Sequence, residues 1–319
     1  MIVLVDPGMA STNIGDQIIS DAVHREFVAP LRAAGVEVET IPMHGQLSEE
    51  SRARLRRADD VVVSGTNLLA DHMRFRSPWQ WATRDIELTR GKLTTFGVGW
   101  WQYQLGGVDP FSARWLRALS SGRPWAVRDE YSAARLRAAG VAAVHTSCPT
   151  LWGVERQALP SDESRVIATF TDYNQDPLAD RRLVELLESR FAEVLYWPQG
   201  PGDERYIRSI VPGEPRLIPA SLAAFDAELQ RPSTAYVGLR LHGGIRAMQF
   251  GVPTLILSID NRAREISRSV GLIAPSRHAL GEIGALLAEP RPGELSIPRE
   301  QIDDWRGQWT GTGTGTVAA

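Results

Sequence analysis

Residues Thr234–Asp260 read TAYVGLRLHGGIRAMQFGVPTLILSID. The stretch parses as a strand (Thr234–Leu239), a glycine-bearing turn, an amphipathic helix (Ile245–Phe250), a Gly-Val-Pro stop and a second buried strand (Thr254–Ser258), which is one βαβ unit. The length of its apolar runs suits buried strands, and such runs are typical of parallel sheets covered on both faces. Arg240 and His242 alternate with Leu241, so the strand period predicts both side chains on one side where the strand ends. Gly243 and Gly244 allow close backbone approach, and the helix start supplies unpaired N–H groups and a positive dipole end. An arginine and a histidine there make an anion site with a proton donor attached. The plainer alternative is that Arg240 pairs with an acid and His242 caps the turn.

The same rhythm extends outward in both directions. Towards the N-terminus it gives strands at 2–5, 36–41, 60–63, 93–98, 125–127 and 143–145, separated by helical patterns at 17–34, 49–57, 110–119 and 130–139. A second series begins at 166–171 and runs through 193–197 and 216–219 to the unit quoted above. The polar, proline-containing stretch Glu155–Glu163 between the two series predicts a linker. The fold class expected is therefore α/β, two Rossmann-like domains facing a cleft, with ligand at the carboxyl ends of the strands. The N-terminal domain spans 1–155 and the C-terminal domain 160–295; 296–319 holds a short helix that could cross back to the first domain, then a disordered tail, TGTGTGTVAA.

Composition narrows the functional classes. The 319 residues carry a net charge of −3, too balanced for a protein that coats nucleic acid. Lys92 is the single lysine among 35 basic residues, a skew of the kind coding bias produces. The lone Cys148 excludes an internal disulfide and any cysteine-built metal site, and the histidines lack ligand spacing, so no metal is expected. MIVLVDPG is not a signal peptide, and no apolar run approaches the roughly 18 residues that span a bilayer. A cytoplasmic location is expected.

Three further loops follow strands. The first, DPGMASTNIGDQI, holds Asn13, Gly15 and Asp16 before a helix, and is neither a Rossmann nor a P-loop fingerprint; Asp16 reads equally well as a helix N-cap. The second, Ser64–Leu69, contains Gly65 and Asn67; in the third, Arg128 ends a short strand just before a helix.

Taken in order, Asn13-Ile14-Gly15-Asp16, Gly65-Thr66-Asn67-Leu68-Leu69, Arg128-Asp129 with Ser132, Arg240-Leu241-His242, Gly251-Val252-Pro253, Asp260-Asn261-Arg262 and Val270-Gly271-Leu272 resemble the polysaccharide pyruvyl transferase family. The resemblance implies a GT-B-like fold and phosphoenolpyruvate as donor substrate. Its pyruvyl group passes to hydroxyls of a saccharide or glycoconjugate as a ketal, with release of phosphate and no cofactor. It also implies that Arg128, Arg240 and Arg262, with Leu241, Gly243 and Gly244, bind the donor. His242 protonates the methylene carbon, and Asp16 is the first choice for the base on the acceptor, with Asp129 the second. Planar guanidiniums suit a donor of about three negative charges, since they bind carboxylate and phosphate bidentately.

The chain departs from the family in three places. Arg262 stands where relatives usually carry lysine, Trp100 where they often place a proline, and Cys148 where they carry an acidic residue before proline. Trp100 and Trp101, with Asn13 and Asn67, are assigned to the acceptor side, the indoles as a platform for sugar rings; buried indoles in the core are the alternative. Cys148 reads as a small buried hydrophobe. Two other functional readings stay open: a nucleotide-sugar glycosyltransferase of the same fold, with Asp260 or Glu265 on the ribose, and a silent binding protein.

Overall fold

A computed structural model describes residues 1–75 and 77–310, so the tail beyond Thr310, expected to be disordered, lies outside the described residues. The chain divides into two compact units. Met1–Ser11, Ile19–Trp152 and the segment starting at Ile297 form the first; Thr12–Ile18 and Gly153–Ser296 form the second.

In the first unit, β1 (Ile2–Asp6), β2 (Val38–Pro42) and β3 (Asp60–Ser64) are followed by a short β4 (Asn67–Leu69) and by β5 (Leu93–Phe96). The main sheet is parallel, in the order β2-β1-β3-β5. Val61, Val62 and Val63 are wholly buried, as a run with no polar alternation requires. Beyond the ends of the main strands, β4 pairs in parallel with β6 (Gly99–Trp100), while β7 (Trp125–Val127) pairs in parallel with β8 (Ala143–His145). The C-terminal helix Arg299–Thr310 packs here as well: the Trp305 ring stacks on Phe96 at 4.9 Å, and its Nε1 donates to the Pro124 carbonyl at 3.0 Å.

The second unit starts with β9 (Arg156–Gln157) and builds a parallel sheet from β10 (Arg165–Thr169), β11 (Glu193–Tyr196), β12 (Thr234–Gly238) and β13 (Thr254–Ile256), in the order β11-β10-β12-β13. It ends with β14 (Gly293–Glu294), antiparallel to β9. The stretch expected as a linker is thus part of this unit. Gln157 is wholly buried: its Nε2 donates to the carbonyls of Thr254 and Ile273, and its Oε1 accepts from the Ile273 amide. A polar residue signals a linker only if its amide is left to water, and this one replaces water with backbone partners.

Both units are thus Rossmann-like α/β layers whose strands share a direction, so the loops after their carboxyl ends are where ligands bind in such folds. Among the described residues, no helix is long and apolar enough to cross a membrane.

Candidate active site

In the first unit the polar side chains gather on the loops after β3, β6, β7 and β8. Gly65 and Thr66 both lie in the left-handed region (φ 60° and 58°), a sharp turn that starts β4 with Asn67 in register with Gly99 of β6. Arg128 follows β7 directly, and its side chain is only 3% exposed. Its Nε donates to Asp129 Oδ2 at 3.0 Å, whereas its Nη2 is buried and has no hydrogen-bond partner. A Cβ on Gly99 would lie 2.2 Å from Arg128 Cζ, so the absence of a side chain at 99 is what makes room for the guanidinium.

Three more buried atoms on these loops lack partners: Asn67 Oδ1, His145 Nε2 and Ser147 Oγ. Val127 is in register with His145, so Arg128 and the Thr146-Ser147 pair leave neighbouring strand ends. Burial lowers the pKa of the His145 imidazole below its ordinary value and so favours the neutral ring. Ser147, at φ 62°, escaped the sequence reading; no local motif marks it. Buried polar groups nearly always find partners, so these unpartnered atoms beyond the strand ends make this part of the first unit a candidate ligand site.

Both oxygens of Asp129 already accept hydrogen bonds. Its Oδ1 accepts the Ser132 amide at 2.7 Å as the N-cap of the helix Glu130–Ala138, and its Oδ2 holds Arg128. Ser132 Oγ in turn accepts the Trp100 amide at 2.8 Å. Trp100 itself is wholly buried, with the Arg135 guanidinium 5.0 Å from its ring centre, so it packs as core and gives no stacking face to a sugar. Trp101 is partly exposed. Cys148 is buried and accepts from Thr150 Oγ1 at 3.0 Å; burial pushes its thiol pKa up, which fits a packing role.

In the second unit the quoted βαβ segment folds differently from the strand-period expectation. β12 stops at Gly238, Arg240 is the N-cap residue, and the helix runs Leu241–Gln249 with His242 buried in its first turn. The helix starts early because the Arg240 carbonyl already accepts the Gly244 amide at 3.1 Å and the Tyr236 hydroxyl at 2.8 Å. Arg240 and His242 are therefore placed by helical geometry, and their alternation along a strand does not hold. Gly244 serves packing: a Cβ there would lie 2.3 Å from Ile256 Cγ1 of β13. Leu241 and Gly243 are buried beside it.

Arg240 is paired with an acid. Its Nε donates to Asp203 Oδ2 at 2.9 Å, its Nη2 reaches Asp203 Oδ1, and Asp172 Oδ1 lies 3.5 Å away. Asp203 is wholly buried, and it also accepts the amides of Asp172, Gln199 and Gly200. Arg262 pairs with its own N-cap residue, Asp260 Oδ2, and its Nη2 also donates to the Tyr173 hydroxyl. Both guanidiniums lie 5.3 Å from the Tyr173 ring centre, so this one aromatic ring collects the two predicted donor-binding arginines of this unit.

Asn13 and Asp16 belong to the second unit by their contacts. Asn13 Oδ1 accepts the Gly15 amide and the Gln199 Nε2 hydrogen, each at 3.1 Å, so Asn13, and not Asp16, is the helix cap. Gln199 is 4% exposed; its carbonyl accepts the Ile14 amide at 3.0 Å, and its Oε1 is buried without a partner. Gln199, Asp203 and Tyr173 were all missed in the sequence. The one available signal for Asp203 was its position after Gly200 and Gly202 at the start of a helical pattern.

Among the described residues, Asp71, His72 and Asp109 bring three potential metal ligands within 4.8 Å of one another. Asp71 Oδ1 already accepts the amides of His72 and Asp109, and Asp109 caps the helix Pro110–Leu119.

The model of a family described as Polysaccharide pyruvyl transferase matches residues 13–261, most of the chain. No curated protein matches at a significant level. Similar solved structures include one from Listeria monocytogenes assigned as a UDP-N-acetylglucosamine 2-epimerase (14% identity, 96% of this chain and 90% of that one, TM-score 0.46). Another is the wall teichoic acid polymerase TagF (11% identity, 99% of this chain and 85% of that one, TM-score 0.40). A third is the glycosyltransferase SnogD from Streptomyces nogalater (14% identity, 98% and 95%, TM-score 0.39).

Proposed function

The chain belongs to the polysaccharide pyruvyl transferase family, and from that premise we propose that it moves the pyruvyl group of phosphoenolpyruvate onto two hydroxyls of a saccharide or glycoconjugate as a ketal. The balance closes without a cofactor. A proton adds to the methylene carbon, making it methyl; two acceptor oxygens bond to the central carbon; the bond to the phosphate oxygen breaks. One acceptor proton replaces the one spent on the methyl group, and the other leaves with phosphate.

The family resemblance assigns Arg128, Arg240 and Arg262 to the donor's carboxylate and phosphate. His242 gives the proton, and Asp16 takes one from the acceptor. The observation that carries this reading is the buried, unpartnered Nη2 of Arg128 beside the side chain that Gly99 lacks. A buried guanidinium N–H without an acceptor costs about 1–3 kcal/mol or more, and an anion relieves that cost.

The test is incubation with phosphoenolpyruvate and a panel of saccharide acceptors, following phosphate release and the product mass. The expected result is stoichiometric phosphate and a mass gain equal to one pyruvyl ketal. Phosphoenolpyruvate should also raise the melting temperature, and UDP-sugars should not. Phosphate release absent across the panel, with no thermal shift by the donor, overturns the proposal.

A further inference from the structure

The first unit holds a cavity of about 480 Å³ that the proposed chemistry leaves unused. This volume is within the roughly 300–1,000 Å³ of small-molecule sites. One wall is the loop after β4, with Arg74 and Trp81; the other is the helix Pro110–Leu119, with Phe111, Arg114 and Trp115. In the chain, this wall follows β4, which begins at Asn67, a residue the sequence assigns to the acceptor side.

Its lining is aromatic and unevenly charged. Phe111 is 45% exposed, an apolar ring turned to solvent at the cavity mouth. The single carboxylate in the lining, Glu87, is taken: Arg90 Nε donates to its Oε2 at 2.7 Å, and Trp115 Nε1 to its Oε1 at 3.1 Å. Two guanidiniums are left uncompensated. Arg74 lies over the Phe75 and Phe111 rings at 5.7 and 5.8 Å and meets no carboxylate among the described residues, and exposed Arg114 meets none either. Trp81 is 5% exposed, and its Nε1–H is buried with no acceptor.

We propose that this cavity binds a sugar unit bearing an anionic group, a uronate or a sugar phosphate, as part of the acceptor. The inference rests on the pyruvyl transfer reading for its choice of a saccharide. Indole and phenyl faces stack on the apolar face of a sugar ring. The acid group pairs with Arg74 and Arg114, and a ring or hydroxyl oxygen accepts from Trp81 Nε1. A purely apolar guest leaves two guanidiniums and an indole N–H unanswered; a cationic guest meets like charge.

Binding is tested without phosphoenolpyruvate, by calorimetric titration of the whole chain. The ligands are a glucuronate-containing tetrasaccharide, glucose 6-phosphate and the neutral maltotetraose. At least one acidic sugar should bind about tenfold or more tightly than maltotetraose, and lose that advantage as salt rises. Arg74→Ala with Arg114→Ala should remove the preference while the melting temperature stays within the wild-type range, since Arg114 and the Arg74 head group carry no structural ion pair. Binding by uronate alone or by sugar phosphate alone identifies which acid is read. Equal binding of acidic and neutral sugars, no binding of either, or an acid preference untouched by the double variant overturns the proposal. Acidic sugars that bind here with no phosphate released on adding phosphoenolpyruvate would sink the transferase reading and leave the cavity assignment standing. Phosphate release from acidic acceptors that the double variant leaves unchanged would do the reverse.

Discussion

The two units present arginines at equivalent places, at a strand end before a helix, and treat them in opposite ways. Arg128 in the first unit has one carboxylate partner on its Nε and a buried Nη2 with no partner. Arg240 in the second is held by both oxygens of a wholly buried Asp203, with Asp172 beside it. The same residue type in the same local setting thus makes an unfinished anion site in one unit and a finished internal strut in the other. The difference is the supply of nearby acid. It leaves Arg128 with an N–H open to the proposed donor, whereas Arg240 is held by Asp203 and its carbonyl fixes the start of the helix that carries His242.

The sharpest way to break this division is to remove the proton donor and leave the arginines. His242→Gln should lower turnover about 10²–10⁴-fold, the usual worth of a general acid, while the thermal shift with phosphoenolpyruvate persists. Full activity in that variant would take His242 out of the mechanism. Next in size is the strut. Asp203→Ala leaves the buried Arg240 with only the more exposed Asp172 at 3.5 Å and should cost about 3–5 kcal/mol of stability, read from the urea midpoint. A loss under about 1 kcal/mol would mean Arg240 is not locked, and the contrast with Arg128 would fail.

Gly99→Ala probes the unfinished side. The new Cβ would sit 2.2 Å from Arg128 Cζ, so the guanidinium must move although its own residue is unchanged. Donor affinity, measured by thermal shift, should fall about tenfold or more, with a smaller loss of fold stability. Unchanged affinity would show that the position of Arg128 does not matter to the donor.

The contrast also explains what could be read in the sequence. The alternation of strands and helices was legible because burial on both faces writes itself locally, as in Val61–Val63. Arg128, Arg240 and His242 were legible as residues at strand ends. The state of Arg240 was not, because its partner Asp203 lies 37 residues away, just as Gln199 lies 186 residues from Asn13. The alternation assigned to Arg240 and His242 failed for a local reason, since two glycines after a strand fit a helix start as well as a turn. Trp100 was offered to the acceptor because an indole looks the same on paper whether its face is open or enclosed.

Two carboxylates extend the comparison to pH, with the smallest effects. Asp6 ends β1 in the first unit. Burial pushes its carboxyl up, but hydrogen bonds from His24, Ser20 and the Gly8 amide, each at 2.8 Å, outweigh burial and hold its pKa below the ordinary 3.8. In the second unit, burial dominates at Asp180 and raises its pKa above 3.8 despite the Tyr206 hydroxyl and Arg277; its Oδ1 has no partner. The signs therefore oppose each other. Asp6 contributes stability above pH 3.8 that is lost as pH falls through its lower folded value, because the unfolded chain takes up the proton first. Asp180 is the reverse: its contribution is full below pH 3.8 and is lost as pH rises through its higher folded value. Asp6→Asn should thus cost about 1–2 kcal/mol at neutral pH and flatten the acid limb of the stability curve. Asp180→Asn should leave the acid limb intact and remove the decline above it. Urea midpoints taken across the acid range separate the two, and parallel curves for both variants would mean that the carboxylates titrate alike and that the two units do not differ in how they satisfy buried acid.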